Sequence, residues 1–199
     1  MQRGDTESRQ GSELMRIRLA EAAKQCLKTT SVDRLTVSEI VSVCGIARQT
    51  FYRNFLDKYD LINWYFDKLV QVSFAEMGRG STVREGLIRK FRYIEKERVF
   101  FTAAFRSDAQ NSLKEHDFEL ILNFYKKEIE QRTQGPLKPD LQFILELYCR
   151  GSVYMTAKWV LSGMKESPEE LAAHLVEAMP GSLAALFRQF NFLEEISRD

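Results

Sequence analysis

Apolar residues recur at three- and four-residue intervals along nearly the whole chain. No run alternates apolar and polar positions between turn residues, so the pattern predicts helices and no strands. Leu14, Ile17, Leu19, Ala20, Ala23 and Leu27 form one stripe and predict a first helix from about Glu13 to Lys28, preceded by a flexible polar tail over residues 1–12. Thr36-Val-Ser-Glu39 is a capping box, in which the threonine hydroxyl bonds the amide three residues on and the glutamate reaches back. The helix it opens is short, because Gly45 supplies the positive φ of a helix stop. Another short helix is predicted over Ala47–Asn54, and Asp57 then caps a long one to about Met77, with Leu61, Ile62, Tyr65, Phe66, Leu69 and Phe74 at helical spacing.

Gly78-Arg79-Gly80-Ser81 breaks the pattern, which resumes to about Lys96 and again over Val99–Phe105, ahead of a polar loop at Ser107–Asn111. Ser112-Leu-Lys-Glu115 is a second capping box, opening a helix to about Arg132, and Gly135-Pro136 through Pro139 is a firm stop. A long helix follows from Asp140 to about Leu161. Ser167-Pro-Glu-Glu170 joins a capping box to a proline at the first helical position, the strongest start signal in the chain. The helix it starts is expected to bend or break at Pro180-Gly181 before continuing through Phe190. The chain is therefore read as all-α: three short helices, then a larger helical bundle.

Composition adds limits. With 44% apolar and 29% charged residues the chain is ordinary globular material, and its 199 residues are enough for a real core. No stretch is apolar enough to span a membrane, and no secretion signal opens the chain. Cys26, Cys44 and Cys149 are far apart, as expected for reduced thiols of a cytoplasmic protein. His116 and His174 have no ligand partners at metal spacing, and no phosphate loop or nucleophile elbow occurs, so neither metal, cofactor nor enzymatic activity is expected. The net charge is +1, but residues 1–58 carry ten Lys/Arg against seven Asp/Glu, a slightly basic head on a slightly acidic body.

Two short helices joined by a tight glycine turn make a helix-turn-helix, whose second helix fits the major groove of double-stranded DNA. In the second helix Phe51 and Phe55 lie four apart and are expected to pack inward, leaving Arg48, Gln49, Tyr52 and Arg53 outward. Arginine can pair with guanine, glutamine with adenine, and tyrosine and arginine with phosphate.

Residues 36–61, from Thr36 through Gly45, Thr50, Phe51-Tyr52, Phe55 and Lys58 to Asp60-Leu61, resemble the signature of TetR-type transcriptional regulators. The clear agreement covers about residues 13–65, and the run Phe55–Phe66 also resembles a subgroup that includes activators of dihydroxyacetone kinase operons. The resemblance implies that Thr36 contacts a phosphate, that Arg48, Gln49 and Thr50 face bases or nearby phosphates, and that Tyr52, Arg53 and Lys58 grip the DNA backbone. Three positions depart from the pattern: Ala47 where a capping serine is usual, Asn54 where His or Tyr is, and Leu56 where Pro or a small residue is. The missing cap costs about 1 kcal/mol of helix-end stability.

The resemblance further implies a DNA-binding domain over residues 13–60 and a regulatory and dimerisation domain over 61–199. The expected product is a homodimer on a palindromic operator, a repressor on family grounds, released by a small apolar or aromatic effector. Phe101, Phe105, Tyr125 and Tyr148 are candidates for the effector pocket, although aromatic stripes of this kind also serve as plain core. The family's interface falls on the last long helices, with Ser152, Met155, Trp159, Leu183 and Phe187 as candidates. A competing reading is a coactivator whose helical body binds a signal-carrying partner protein.

Overall fold

The computed structural model describes residues 2–75, 81–107 and 112–193, with side chains from residue 11 onward. Within these residues there are ten α-helices and no strand: α1 (Gln2–Cys26), α2 (Val37–Cys44), α3 (Arg48–Tyr52), α4 (Lys58–Phe74), α5 (Val83–Lys96), α6 (Arg98–Arg106), α7 (Leu113–Thr133), α8 (Pro139–Leu161), α9 (Pro168–Glu177) and α10 (Gly181–Gln189). None of the described helices is long and apolar enough to cross a membrane. The expected break at Gly78-Arg79-Gly80 and most of the loop Ser107–Asn111 lie outside the described residues.

Local chemistry accounts for the boundaries. Thr36, Thr82 and Ser167 each close a full capping box, with Glu39, Glu85 and Glu170 returning the bond. Asp57 Oδ1 accepts from the amides of Tyr59 and Asp60 at 2.8 Å and so starts α4. Pro180-Gly181 does break the last helix, separating α9 from α10. The polar stretch read as a tail differs: α1 starts at Gln2, not near Glu13. Once its packed half is nucleated, a helix propagates into polar sequence at little further cost.

The chain divides into two compact units, one of Met1–Lys68 with Arg98–Leu113 and one of Leu69–Glu97 with Lys114–Asp199. α6 falls in the same unit as the N-terminal helices. In the first unit Leu19, Ala20, Ile40, Phe51, Leu61 and Phe66 are fully buried, joined by Phe100, Phe101 and Phe105 of α6. Phe66 meets Phe101 edge-on at 6.0 Å, and Tyr65 meets Phe100 at 5.1 Å. These rings fix α6 onto α4.

In the second unit Phe91 of α5 packs on Trp159 of α8 at 5.5 Å, and Tyr125 of α7 on Phe187 of α10 at 5.2 Å. Trp159 Nε1 donates to the Glu166 carbonyl at 2.9 Å, and the Tyr148 hydroxyl to that of Leu175 at 2.8 Å. Lys90 donates to both carboxylate oxygens of Asp117, at 2.8 and 2.9 Å, with both residues buried. Removing either member alone would strand a charge, at about 3–5 kcal/mol. Burial pushes the Cys149 thiol up to about 12, so it is not a thiolate at neutral pH.

Candidate nucleic-acid interface

The turn between α2 and α3 is made by the backbone. Gly45 takes φ +69° and donates to Ser42 O at 3.3 Å, and Ile46 N–H donates to Val41 O at 3.1 Å. Together they form the paired bonds of a Schellman stop, in which only glycine adopts the left-handed conformation without steric cost. Arg18 Nη2 donates to the Cys44 carbonyl at 3.3 Å and ties α1 to this turn. Phe51 and Phe55 are both buried, 5.9 Å apart, and Phe55 also meets Trp64 of α4 at 5.5 Å. They are the anchors that seat α3.

The outward set is as the pattern predicts. Arg48, Gln49, Tyr52 and Arg53 are exposed, while Thr50 is half-buried, with its carbonyl accepting from Asn54 Nδ2 at 2.8 Å. Arg48 Nη2 donates to the Tyr52 hydroxyl at 3.0 Å, so the guanidinium and phenol stand together on one face. Ala47 leaves α3 without a side-chain cap.

Two residues expected at phosphates have other duties. The Thr36 hydroxyl accepts from the Glu39 amide at 3.2 Å and donates to Glu39 Oε2 at 2.8 Å. Its one proton is therefore spent on the capping box, and these bonds hold the Glu39 carboxyl below its usual range. Lys58 Nζ donates to the carbonyls of Asp33 and Leu35, both at 2.8 Å. Its ammonium staples the α1–α2 loop to the start of α4. The loop is fastened a second time through Asp33 Oδ1, which accepts from the hydroxyl of Ser107, the residue after α6, at 2.6 Å. No local pattern pairs Asp33 with Ser107, because 74 residues separate them.

The candidates named for the body fall in different places. Phe101 and Phe105 are buried in the first unit, Tyr125 and Tyr148 in the second, each in its own unit's core. Trp159, Leu183 and Phe187, expected at a dimer interface, are 4%, 0% and 0% exposed and face their own protomer's interior. The reason is that α5, α7 and α8 already cover those rings, and helical spacing does not reveal what covers a stripe. Ser152 is half-buried and donates to the Tyr148 carbonyl at 2.8 Å. Only Met155 of the five is exposed.

A different face of α8 is uncovered. Phe143, Leu147, Tyr154 and Leu161 are exposed, in line with Gly151 and Lys158. The intervals of four, four, three, four and three residues keep all six on one side of the helix. Among the described residues, nothing lies within 4 Å of where a Cβ on Gly151 would be. Reading α8 with Trp159 outward turns it by more than a quarter turn from this arrangement. Helical spacing alone does not say which side of α8 the apolar residues at 143, 147 and 154 mark.

An exposed basic and polar face on the second helix of a helix-turn-helix, followed by an all-α body, defines a DNA-binding transcription regulator. Residues 19–64 match the family model described as bacterial regulatory proteins, tetR family, and residues 81–181 match the one described as transcriptional regulator C-terminal region. The chain belongs to the TetR family. It is 28% identical over 94 residues to the HTH-type dhaKLM operon transcriptional activator DhaS of Lactococcus lactis subsp. lactis (strain IL1403), an alignment covering 45% of this chain and 48% of that one. The chain thus spans about half the length of the curated relative it matches. The solved structure of the dihydroxyacetone kinase operon activator DhaS is similar in fold, with TM-score 0.58 and 20% identity over 90% of this chain and 98% of that one. So is the regulator FadR from Bacillus subtilis in complex with stearoyl-CoA, with TM-score 0.56 and 17% identity over 83% of this chain and 97% of that one.

Proposed function

We propose that the protein is a homodimeric regulator that reads a palindromic operator with α3 of each protomer. The observation that carries this reading is the division of α3 into two sides. Phe51 is locked inside while Arg48, Gln49, Tyr52 and Arg53 are exposed around it. Gln49 and Arg48 are the base readers, with bidentate reach to adenine and guanine. Tyr52, Arg53 and the half-buried Thr50 contact the backbone. Thr36 contributes through its position at the amide end of α2, and Lys58 through the loop it holds.

The exposed stripe of α8 supports the dimer. It runs from Phe143 to Leu161, about 27 Å at the rise of an α-helix. A glycine in mid-helix costs about 1 kcal/mol relative to alanine, and nothing in the protomer requires Gly151. A facing helix from a second copy gives both the apolar stripe and the glycine a use. The dimer then sets two α3 helices about 34–36 Å apart, one turn of DNA. Repression follows where the palindrome overlaps a promoter, and activation where it lies upstream. An effector acts by favouring a body conformation that changes the spacing, typically with about 1–3 kcal/mol of coupling. The same stripe would serve a partner protein in the coactivator reading, and a monomer at micromolar concentration would favour that alternative.

The test is binding to an operator selected from random duplexes. Gln49→Ala should relax preference at one or two positions of each half-site, at about 1–3 kcal/mol. Uniform loss across all sequences would remove Gln49 as a reader, and failure to select any motif would remove the operator reading itself.

A further inference from the structure

The first unit has a cleft that the DNA-reading face does not use. It lies between the end of α1 with its following loop, Leu27–Ser31, and α6, and it has a volume of about 500 Å³. Three cationic side chains line it, Lys28, Arg98 and Arg106, along with hydroxyls that include Ser31 and Thr102. No acidic residue is among the described residues that line it. All three cations are exposed, and among the described residues none of their side chains makes an ion pair or hydrogen bond. Three like charges around one opening repel one another until an anion neutralises them.

The backbone at the cleft comes from the end of α1 and from α6. The carbonyls that end α1 are already taken: Ala23 O accepts from Leu27 N–H at 2.9 Å, and Cys26 O from the amides of Thr29 and Thr30, each at 3.1 Å. The negative end of the α1 dipole also lies here, and the three cations offset it. α6 begins at Arg98, directly after Glu97, and has no acidic residue within its first turn. Leu27, Val99 and Ala103 supply an apolar wall beside the charges. Guanidinium forks, an ammonium and hydroxyl donors around an apolar edge match a phosphate group carried on a small molecule or a backbone.

We propose that this cleft is a phosphate-binding site, by which an anion ties the α1–α2 loop to α6. The loop runs on to Thr36, and its far side is already fastened by Lys58 and Ser107. Occupancy fixes its near side as well and stiffens the segment that carries α2. The phosphate comes from a small phosphorylated compound or from the DNA backbone, and the two sources leave different signatures.

The experiment titrates the full-length protein with pyrophosphate by calorimetry at constant ionic strength, with chloride as the control, for the wild type and for Arg98→Gln/Arg106→Gln. In parallel, the salt dependence of binding to a short DNA duplex is measured for both. Both substitutions are on the surface, and matching circular dichroism spectra and melting temperatures establish that the double variant folds. Saturable pyrophosphate binding that weakens at least tenfold in the variant, with an unchanged salt slope, assigns the site to a small phosphorylated ligand. A slope reduced by about two in the variant, with pyrophosphate competing against DNA, assigns it to the DNA backbone. Equal pyrophosphate binding and equal slopes in the two proteins overturn the proposal. The calorimetric arm contains no DNA, so its result stands apart from the operator reading.

Discussion

Lys58→Met separates two roles for one ammonium group. The substitution keeps most of the apolar stem and removes the charge, and with it both 2.8 Å donations to the carbonyls of Asp33 and Leu35. A hydrogen bond from a charged donor contributes about 1.5–3 kcal/mol when well shielded. Lys58 is half-buried, so water replaces part of each lost bond, and the expected net cost is about 1–2 kcal/mol. For a chain of this size each kcal/mol lowers Tm by about 2–4 °C, giving a drop of about 2–8 °C in a thermal melt followed by circular dichroism. The salt slope of DNA binding is measured on the same variant, because a direct phosphate contact is worth about 0.9 of slope. The staple predicts a lowered Tm, weaker DNA binding through the loosened loop, and an unchanged slope. An unchanged Tm with the slope reduced by about one would refute this reasoning and return Lys58 to the phosphate.

Leu147→Asp with Tyr154→Asp should convert the proposed dimer to a monomer in light scattering after size exclusion, with little change in helicity; a surviving dimer would move the interface off the exposed face of α8. Ala47→Ser supplies the cap that α3 lacks and should stabilise the protein by about 1 kcal/mol, read as a rise in denaturant midpoint, and a fall would mean that the site cannot accept the hydroxyl. Hydrogen bonds at the capping boxes, from Thr36 to Glu39 and from Ser167 to Glu170, hold both carboxyls below the usual 4.5. Depressed folded-state values contribute stability that is present above about pH 4.5 and lost as pH falls through them. Tm should therefore decline on the acid side, less steeply in Glu39→Gln/Glu170→Gln, and equal declines would show that the boxes are not the cause.

Much of the helix map was legible because its signals are local. Thr36 and Glu39, Ser167 and Glu170, and Gly45 act within one turn, so a capping box or a stop can be read from four or five consecutive residues. Phe51 and Phe55 could be turned inward for the same reason: one helical turn separates them, and Arg48, Gln49, Tyr52 and Arg53 follow from their placement. Lys58 was less accessible, since its partners lie 23 and 25 residues back and are carbonyls, which every residue has. The face of α8 failed for a third reason. Period shows that Trp159 and Tyr148 share a side, and equally that Phe143, Leu147 and Tyr154 do, but not which side α5, α7 and α10 already occupy. Likewise nothing in the run from Val99 to Phe105 says that its phenylalanines join Phe66 and not the helices that follow.

The turn at Gly45 makes the protein's vocabulary replaceable. The direction in which α3 leaves α2 is set by one glycine's backbone and two bonds to the carbonyls of Val41 and Ser42, and its depth by Phe51 and Phe55. None of these groups is among the side chains that stand outward. A lineage could therefore exchange Arg48, Gln49 and Arg53 for other residues and acquire a new operator while the helix stays where it was. Grammar and words are held by different atoms, so a duplicated copy of this gene could diverge in target before it diverged in fold.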